Sequence, residues 1–120
     1  MNNHIHLIWQ VRQAHQLNNV QRDFLKFTAQ QFRFDLINKG ASTLKDFKVK
    51  LKDRRYQFWK RASLNVPLYS TKVFEQKLDY IHQNPVKEGL AKLPENYRYS
   101  SASFYLLDDV RYDFLTHYSS

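Results

Sequence analysis

Residues 4–11 alternate weakly and are rich in large apolar side chains. That pattern predicts a strand with one buried face. A strand leaves backbone donors and acceptors open on both edges, so it commits the chain to a sheet. Within it His4 and His6 point to one face and Ile5 to the other, because strand side chains alternate. Far along the chain Tyr80 and Asn84 stand four residues apart on a predicted helix, hence on one helical face. If that strand meets that helix, two imidazoles, an amide and a phenol converge.

The remaining elements follow from spacing. Val20, Phe24, Phe27, Phe32, Phe34 and Leu36 recur at helical intervals over residues 19–38, with Asn18 or Asn19 to cap the start and Gly40 after the end. Thr43 and Asp46 resemble a capping box and predict a helix to about Arg54, with Leu44, Phe47 and Leu51 as its stripe. Residues 56–62 read as a strand, and Pro67 places an edge or turn after it. Ser70 or Thr71 starts a helix with Phe74, Leu78 and Ile81 toward the core, which Pro85 should end at Asn84. A short helix is expected around residues 101–107. No repeat, low-complexity tract or linker interrupts the chain. The expectation is therefore one domain over residues 1–120 and an α+β fold, with a small antiparallel sheet carrying helices on one face.

Charge points to a polyanion. The net charge is +8, and it is uneven. Lys45, Lys48, Lys50, Lys52, Arg54, Arg55, Lys60 and Arg61 stand against only Asp46 and Asp53, with Tyr56, Phe58 and Trp59 interleaved. Basic groups bind phosphates and aromatic faces stack on unpaired bases, so this run suits single-stranded or hairpin nucleic acid. A solvated helix followed by a strand with core aromatics explains the run equally well. No window is apolar enough for a membrane span, and no leader indicates export. The absence of cysteine excludes disulfides and thiolate zinc sites and suits a reducing cytoplasm.

The strings Asn3-His4-Ile5-His6-Leu7-Ile8-Trp9 and Tyr80-Ile81-His82-Gln83-Asn84-Pro85-Val86-Lys87-Glu88-Gly89-Leu90 together resemble the REP-associated tyrosine transposases. These are single-tyrosine nucleases in which two histidines flank a bulky apolar residue. Tyr97-Arg98-Tyr99-Ser100-Ser101 resembles the closing segment of that family. In the family the histidine strand is an inner strand preceded by a further strand and helix, and a methionine stands shortly before its first histidine. Met1 occupies that place here, so the chain resembles a member lacking its N-terminal part.

The resemblance implies a ferredoxin-like, palm-like layer without its first strand and helix. It implies cleavage and rejoining of single-stranded DNA at hairpins of repeated palindromes, with DNA as partner, no membrane, and a homodimer as a compatible assembly. The expected location is the bacterial cytoplasm, at the nucleoid. Tyr80 is then the nucleophile, giving a 5′-phosphotyrosyl intermediate and a free 3′-hydroxyl. His4, His6 and Asn84 would hold Mg²⁺ or Mn²⁺, the amide oxygen suiting a hard cation. Without the resemblance, His4 and His6 read as a surface pair, Asn84 as a helix C-terminal residue, and Tyr80 as a half-buried tyrosine at a seam. Lys77, one turn before Tyr80, is a candidate phosphate contact or a solvated lysine. His82 lies on another helix face and reads as structural or DNA-facing; His15 and His117 show no partner pattern. A DNA-binding protein that no longer cuts is the main alternative. A basic RNA-binding protein of ribosomal type explains the charge and aromatics but neither pairing.

Overall fold

Pro85 does not end the helix that carries Tyr80. In the computed structural model, which describes residues 1–60 and 63–120, the helix runs Thr71–Lys87 with Pro85 inside its last turn. We call it α2; the long helix Leu17–Asn38 is α1 and the short helix Ala102–Leu107 is α3. Two 3₁₀ segments, Ser42–Phe47 and Pro94–Asn96, complete the regular structure. The chain groups into two compact units, one of Met1–Ile8 with Val66–Ser120, the other of Trp9–Asn65. No helix of the described residues is long and apolar enough to cross a membrane.

The expected antiparallel sheet is not formed, and with it goes the α+β, ferredoxin-like architecture. The chain is 46% helix and 2% strand. Among the described residues the only pairing of strand type is an isolated antiparallel bridge between Lys48 and Tyr56. Residues 4–11 alternate but pair with no other segment, and Ile5 and Leu7 remain exposed. Alternation creates an apolar face, yet a strand also needs a neighbour for its N–H and C=O groups, and no described segment supplies one.

In the unit of Met1–Ile8 and Val66–Ser120, Ser70 caps α2, its hydroxyl accepting from the Val73 N–H at 3.2 Å. At the other end Glu88 N–H donates to the Asn84 carbonyl, and Leu90 N–H to the Pro85 carbonyl at 2.8 Å. Gly89 adopts φ +70 between them. This is a Schellman closure, and glycine takes the left-handed position without a Cβ clash. The closure explains why the helix passes through Pro85. A residue before proline is biased away from helical geometry, not barred from it. Here the last turn is tied off beyond the proline, and Asn84 and Pro85 are both buried. The buried set of this unit is small: His82, Asn84, Pro85, Ala102 and Ser103.

The unit Trp9–Asn65 is built on α1. Gly40, at φ +60, closes α1 in the same manner, with the Ala41 N–H donating to the Leu36 carbonyl at 2.9 Å. The helix expected from Thr43 to about Arg54 shrinks to the 3₁₀ segment Ser42–Phe47. Continuing it would set Lys48 and Lys52 one turn apart as like charges. Instead the chain reverses, Val49 N–H donating to the Arg55 carbonyl and Gln57 N–H to the Phe47 carbonyl. Phe47 and Phe58 then stack at 4.7 Å. The strand expected over residues 56–62 is reduced to the bridge at Tyr56; Arg61 and Ala62 lie outside the described residues. Trp59 donates its indole N–H to the Thr28 hydroxyl at 2.9 Å and packs on Phe32. No residue of α1 is fully buried.

Candidate active site and nucleic-acid interface

The N-terminal segment, α2 and the closing segment meet within one unit. His4 and His6 lie edge to face, their ring centroids 5.1 Å apart. His6 in turn meets Tyr80, with centroids 5.9 Å apart and planes at 75°. Tyr80 is half exposed. The closing segment contributes two ties. The Tyr97 hydroxyl accepts from the Met1 amino group at 2.7 Å, and the Ser101 hydroxyl lies 2.9 Å from His82 Nε2. The helical phase explains this division. Residue 82 is two positions from Tyr80 and therefore on another face, which is buried against the start of α3. His82 is thus structural rather than DNA-facing.

The His6 ring is held toward its neutral form. His4 Nδ1 lies 2.7 Å from Asn3 Oδ1. An amide oxygen only accepts, so Nδ1 carries the hydrogen of this bond. His6 has its pKa lowered by partial desolvation, then by repulsion from His4 and from the N-terminal amino group. Both effects favour the uncharged ring, the form that ligates a metal. Asn84 is buried one turn after Tyr80. Among the described residues no side-chain contact joins Asn84 to His4, His6 or Tyr80, so of the four expected site residues the structure brings together His4, His6 and Tyr80. The Asn84 amide oxygen is a donor of the kind that suits a hard cation such as Mg²⁺ or Mn²⁺. Among the described residues no three His, Cys, Asp or Glu side chains gather closely enough to hold one.

Two residues of this region were not singled out from sequence. Lys87 places its Nζ 5.7 Å from the centroid of the Tyr80 ring. The seven-residue spacing from Tyr80 puts both on one helical face, a signal present in the sequence. Glu88 lines a hollow with residues 1–4 and Leu90, next to His4. The structure records no contact between Lys77, the sequence candidate, and Tyr80; Lys77 is exposed on α2.

The basic run sits entirely in the other unit. Lys45, Lys48, Lys50, Lys52, Arg54, Arg55 and Lys60 are exposed, and Arg54 pairs with Asp53. Tyr56, Phe58 and Trp59 are half-buried. Tyr56 is covered by the Arg33 guanidinium at 5.2 Å, while Phe58 and Trp59 belong to the Phe32–Phe47 cluster. Their first role is therefore packing. Residues 9–65 hold thirteen of the 19 basic residues and four of the 11 acids, a net charge of +9; the rest of the chain nets −1.

The chain matches no family model, no curated protein and no solved structure.

Proposed function

We propose that this chain cleaves and rejoins single-stranded DNA by tyrosine transesterification at hairpins of repeated palindromes. The observation that carries the reading is the contact chain His4–His6–Tyr80. Residues more than seventy positions apart in sequence bring two imidazoles beside a half-exposed phenol. Core packing has no use for that set. The motif resemblance to REP-associated tyrosine transposases supports the same chemistry, in the absence of a palm-like sheet.

Tyr80 Oη attacks the scissile phosphorus, the Oη–P bond forms, and the P–O3′ bond breaks. The phenolic proton leaves to water and the departing 3′ oxygen takes one up. One phosphoester replaces another, so the 5′-phosphotyrosyl link keeps the energy for rejoining. His4, His6 and Asn84 are the residues that would hold Mg²⁺ or Mn²⁺. A cation bound there supplies positive charge to the non-bridging oxygens of the phosphate, making its phosphorus more electrophilic. Lys87 adds fixed positive charge on the Tyr80 side. The basic unit Trp9–Asn65 draws in the strand, Lys45 to Lys60 contacting phosphates. DNA is then the partner, a homodimer is compatible, and the bacterial cytoplasm is the setting.

The test is a hairpin single strand incubated with Mg²⁺ or Mn²⁺ and run on a denaturing gel. A covalent protein–DNA adduct is expected, and it should vanish in Tyr80→Phe. An adduct that persists in that variant removes Tyr80 from the reaction. A second reading, DNA binding without cleavage, draws on a different observation. The net charge of +9 on residues 9–65 would hold a strand whatever Tyr80 does. Tight hairpin binding with no adduct would select it.

A further inference from the structure

Beside Trp9, within the unit Trp9–Asn65, lies a hollow of about 320 Å³ lined by Trp9, Gln10, Val11, Arg12, His15 and Val20. Its volume falls in the range of small-ligand pockets. The indole is held by an edge contact to Phe24, with centroids 5.6 Å apart at 86°, and remains 39% exposed. It is a fixed ring with an open surface. A turn in which His15 N–H donates to the Arg12 carbonyl at 2.9 Å sets the Arg12 and His15 side chains beside it. Among the described residues Arg12 has no acidic partner, so its guanidinium is not engaged elsewhere.

We propose that this hollow holds one unpaired nucleotide of single-stranded DNA, its base on Trp9 and its phosphate on Arg12 and His15. The chemistry of the wall matches the two halves of that ligand. An indole surface stacks any base, Val11 and Val20 give the stack an apolar floor, and an arginine fork pairs with phosphate oxygens. The Gln10 amide can meet a base edge. The surrounding charge of +9 on residues 9–65 selects a polyanion over a neutral ligand. The inference rests on the proposed function only for the choice of DNA as that polyanion. Stacking tolerates all bases, so the hollow would grip a strand without reading its sequence.

The chain has two tryptophans, so the full chain carrying Trp59→Phe leaves Trp9 as sole reporter. Thr28 keeps its bond to the Phe24 carbonyl in that variant. The probes are an oligothymidylate of roughly eight nucleotides, within the site sizes of single-strand binders, and an abasic strand of equal length, both in EDTA to prevent cleavage. Trp9 fluorescence should be quenched by the thymidylate and not by the abasic strand. In the otherwise native chain, Trp9→Ala should weaken thymidylate binding by roughly five- to a hundredfold. Arg12→Gln, at an exposed position, should weaken both strands and lower the salt slope by about one. It keeps the test open if Trp9→Ala does not fold. Equal quenching by both strands, no quenching, or an Arg12→Gln protein with unchanged salt slope would overturn the proposal. A Tyr80 adduct without Trp9 quenching rejects the hollow and leaves the enzyme reading standing. Quenching without an adduct supports the hollow alone.

Discussion

His82 Nε2 and Ser101 Oγ stand 2.9 Å apart, joining the buried face of α2 to the residue that precedes α3. Only 7% of His82 is exposed. Burial lowers its pKa below the ordinary histidine range, with Asp79 pulling weakly the other way. The folded chain therefore resists a proton that the unfolded chain accepts near pH 6.5. Just below that pH the unfolded state binds more protons, so stability falls as pH falls, from about 6.5 down to the lowered folded value. Thermal melting followed from about pH 7.5 to pH 5 should show the midpoint dropping through this window. His82→Gln should flatten the drop; the same slope in that variant would place its origin elsewhere.

Tyr80→Phe should leave hairpin affinity within about twofold while abolishing the adduct, because it removes a hydroxyl and keeps the ring against His6. His6→Ala should also stop cleavage. Excess Mn²⁺ should partly restore it, since His4 and Asn84 remain as donors. Adduct yield on denaturing gels, over a metal titration, measures both. Full activity of His6→Ala at low metal would remove His6 from the site.

Hairpin affinity should fall steeply with salt. If four or more of the exposed cations between Lys45 and Lys60 meet phosphates, the loss between roughly 50 and 200 mM salt should be about a hundredfold or more. Hairpins with single-stranded flanks should bind more tightly than blunt duplex, because stacking needs unpaired bases. Fluorescence anisotropy across a salt series decides this. Salt-insensitive binding, or equal affinity for duplex, would contradict it.

Gly89→Ala should cost about 1 kcal/mol, seen as a lower denaturant midpoint with an unchanged slope. Nothing lies within 4 Å of a Cβ built at Gly89, so the whole cost is its φ of +70. Gly89→Asn should cost less, because asparagine tolerates the left-handed region better. Equal losses in both variants would point to packing instead of backbone.

The helices were readable where local signals were self-sufficient. The stripe from Val20 to Leu36 with Gly40 carries a face and a stop, and Ser70 ahead of Phe74, Leu78 and Ile81 a start and a face. The cap expected at Asn18 or Asn19 is not used, since α1 begins at Leu17 after Gln16 with no side-chain cap. Pro85 misled because its effect depends on the turn beyond it, which Gly89 and Leu90 decide. Residues 4–11 misled for a different reason. Their alternation defines a strand only if some other segment pairs with it, and pairing is a property of the whole fold. Thr43 and Asp46 form no capping box: the segment is a 3₁₀ turn that starts at Ser42 with no side-chain cap, and the ring contact of Phe47 with Phe58 goes with its early end. At the candidate site the meeting of His6 with Tyr80 followed from registers that presumed a sheet; the contact is present while the sheet is not. Lys87 was legible from spacing alone. Trp9 with Arg12 and His15 was not, since a hollow has no sequence pattern.

Leu17, Phe27, Phe32, Phe34 and Ile37 leave α1 with apolar side chains 41–61% exposed. Like charge holds such surfaces apart: two copies of the unit Trp9–Asn65, each at +9, repel before their rings can touch. A polyanion cancels that repulsion. Titrating the protein with a single strand should therefore raise turbidity near charge equivalence and clear it again when the strand is in excess. Turbidity that does not depend on the strand-to-protein ratio would show that charge does not keep these faces apart.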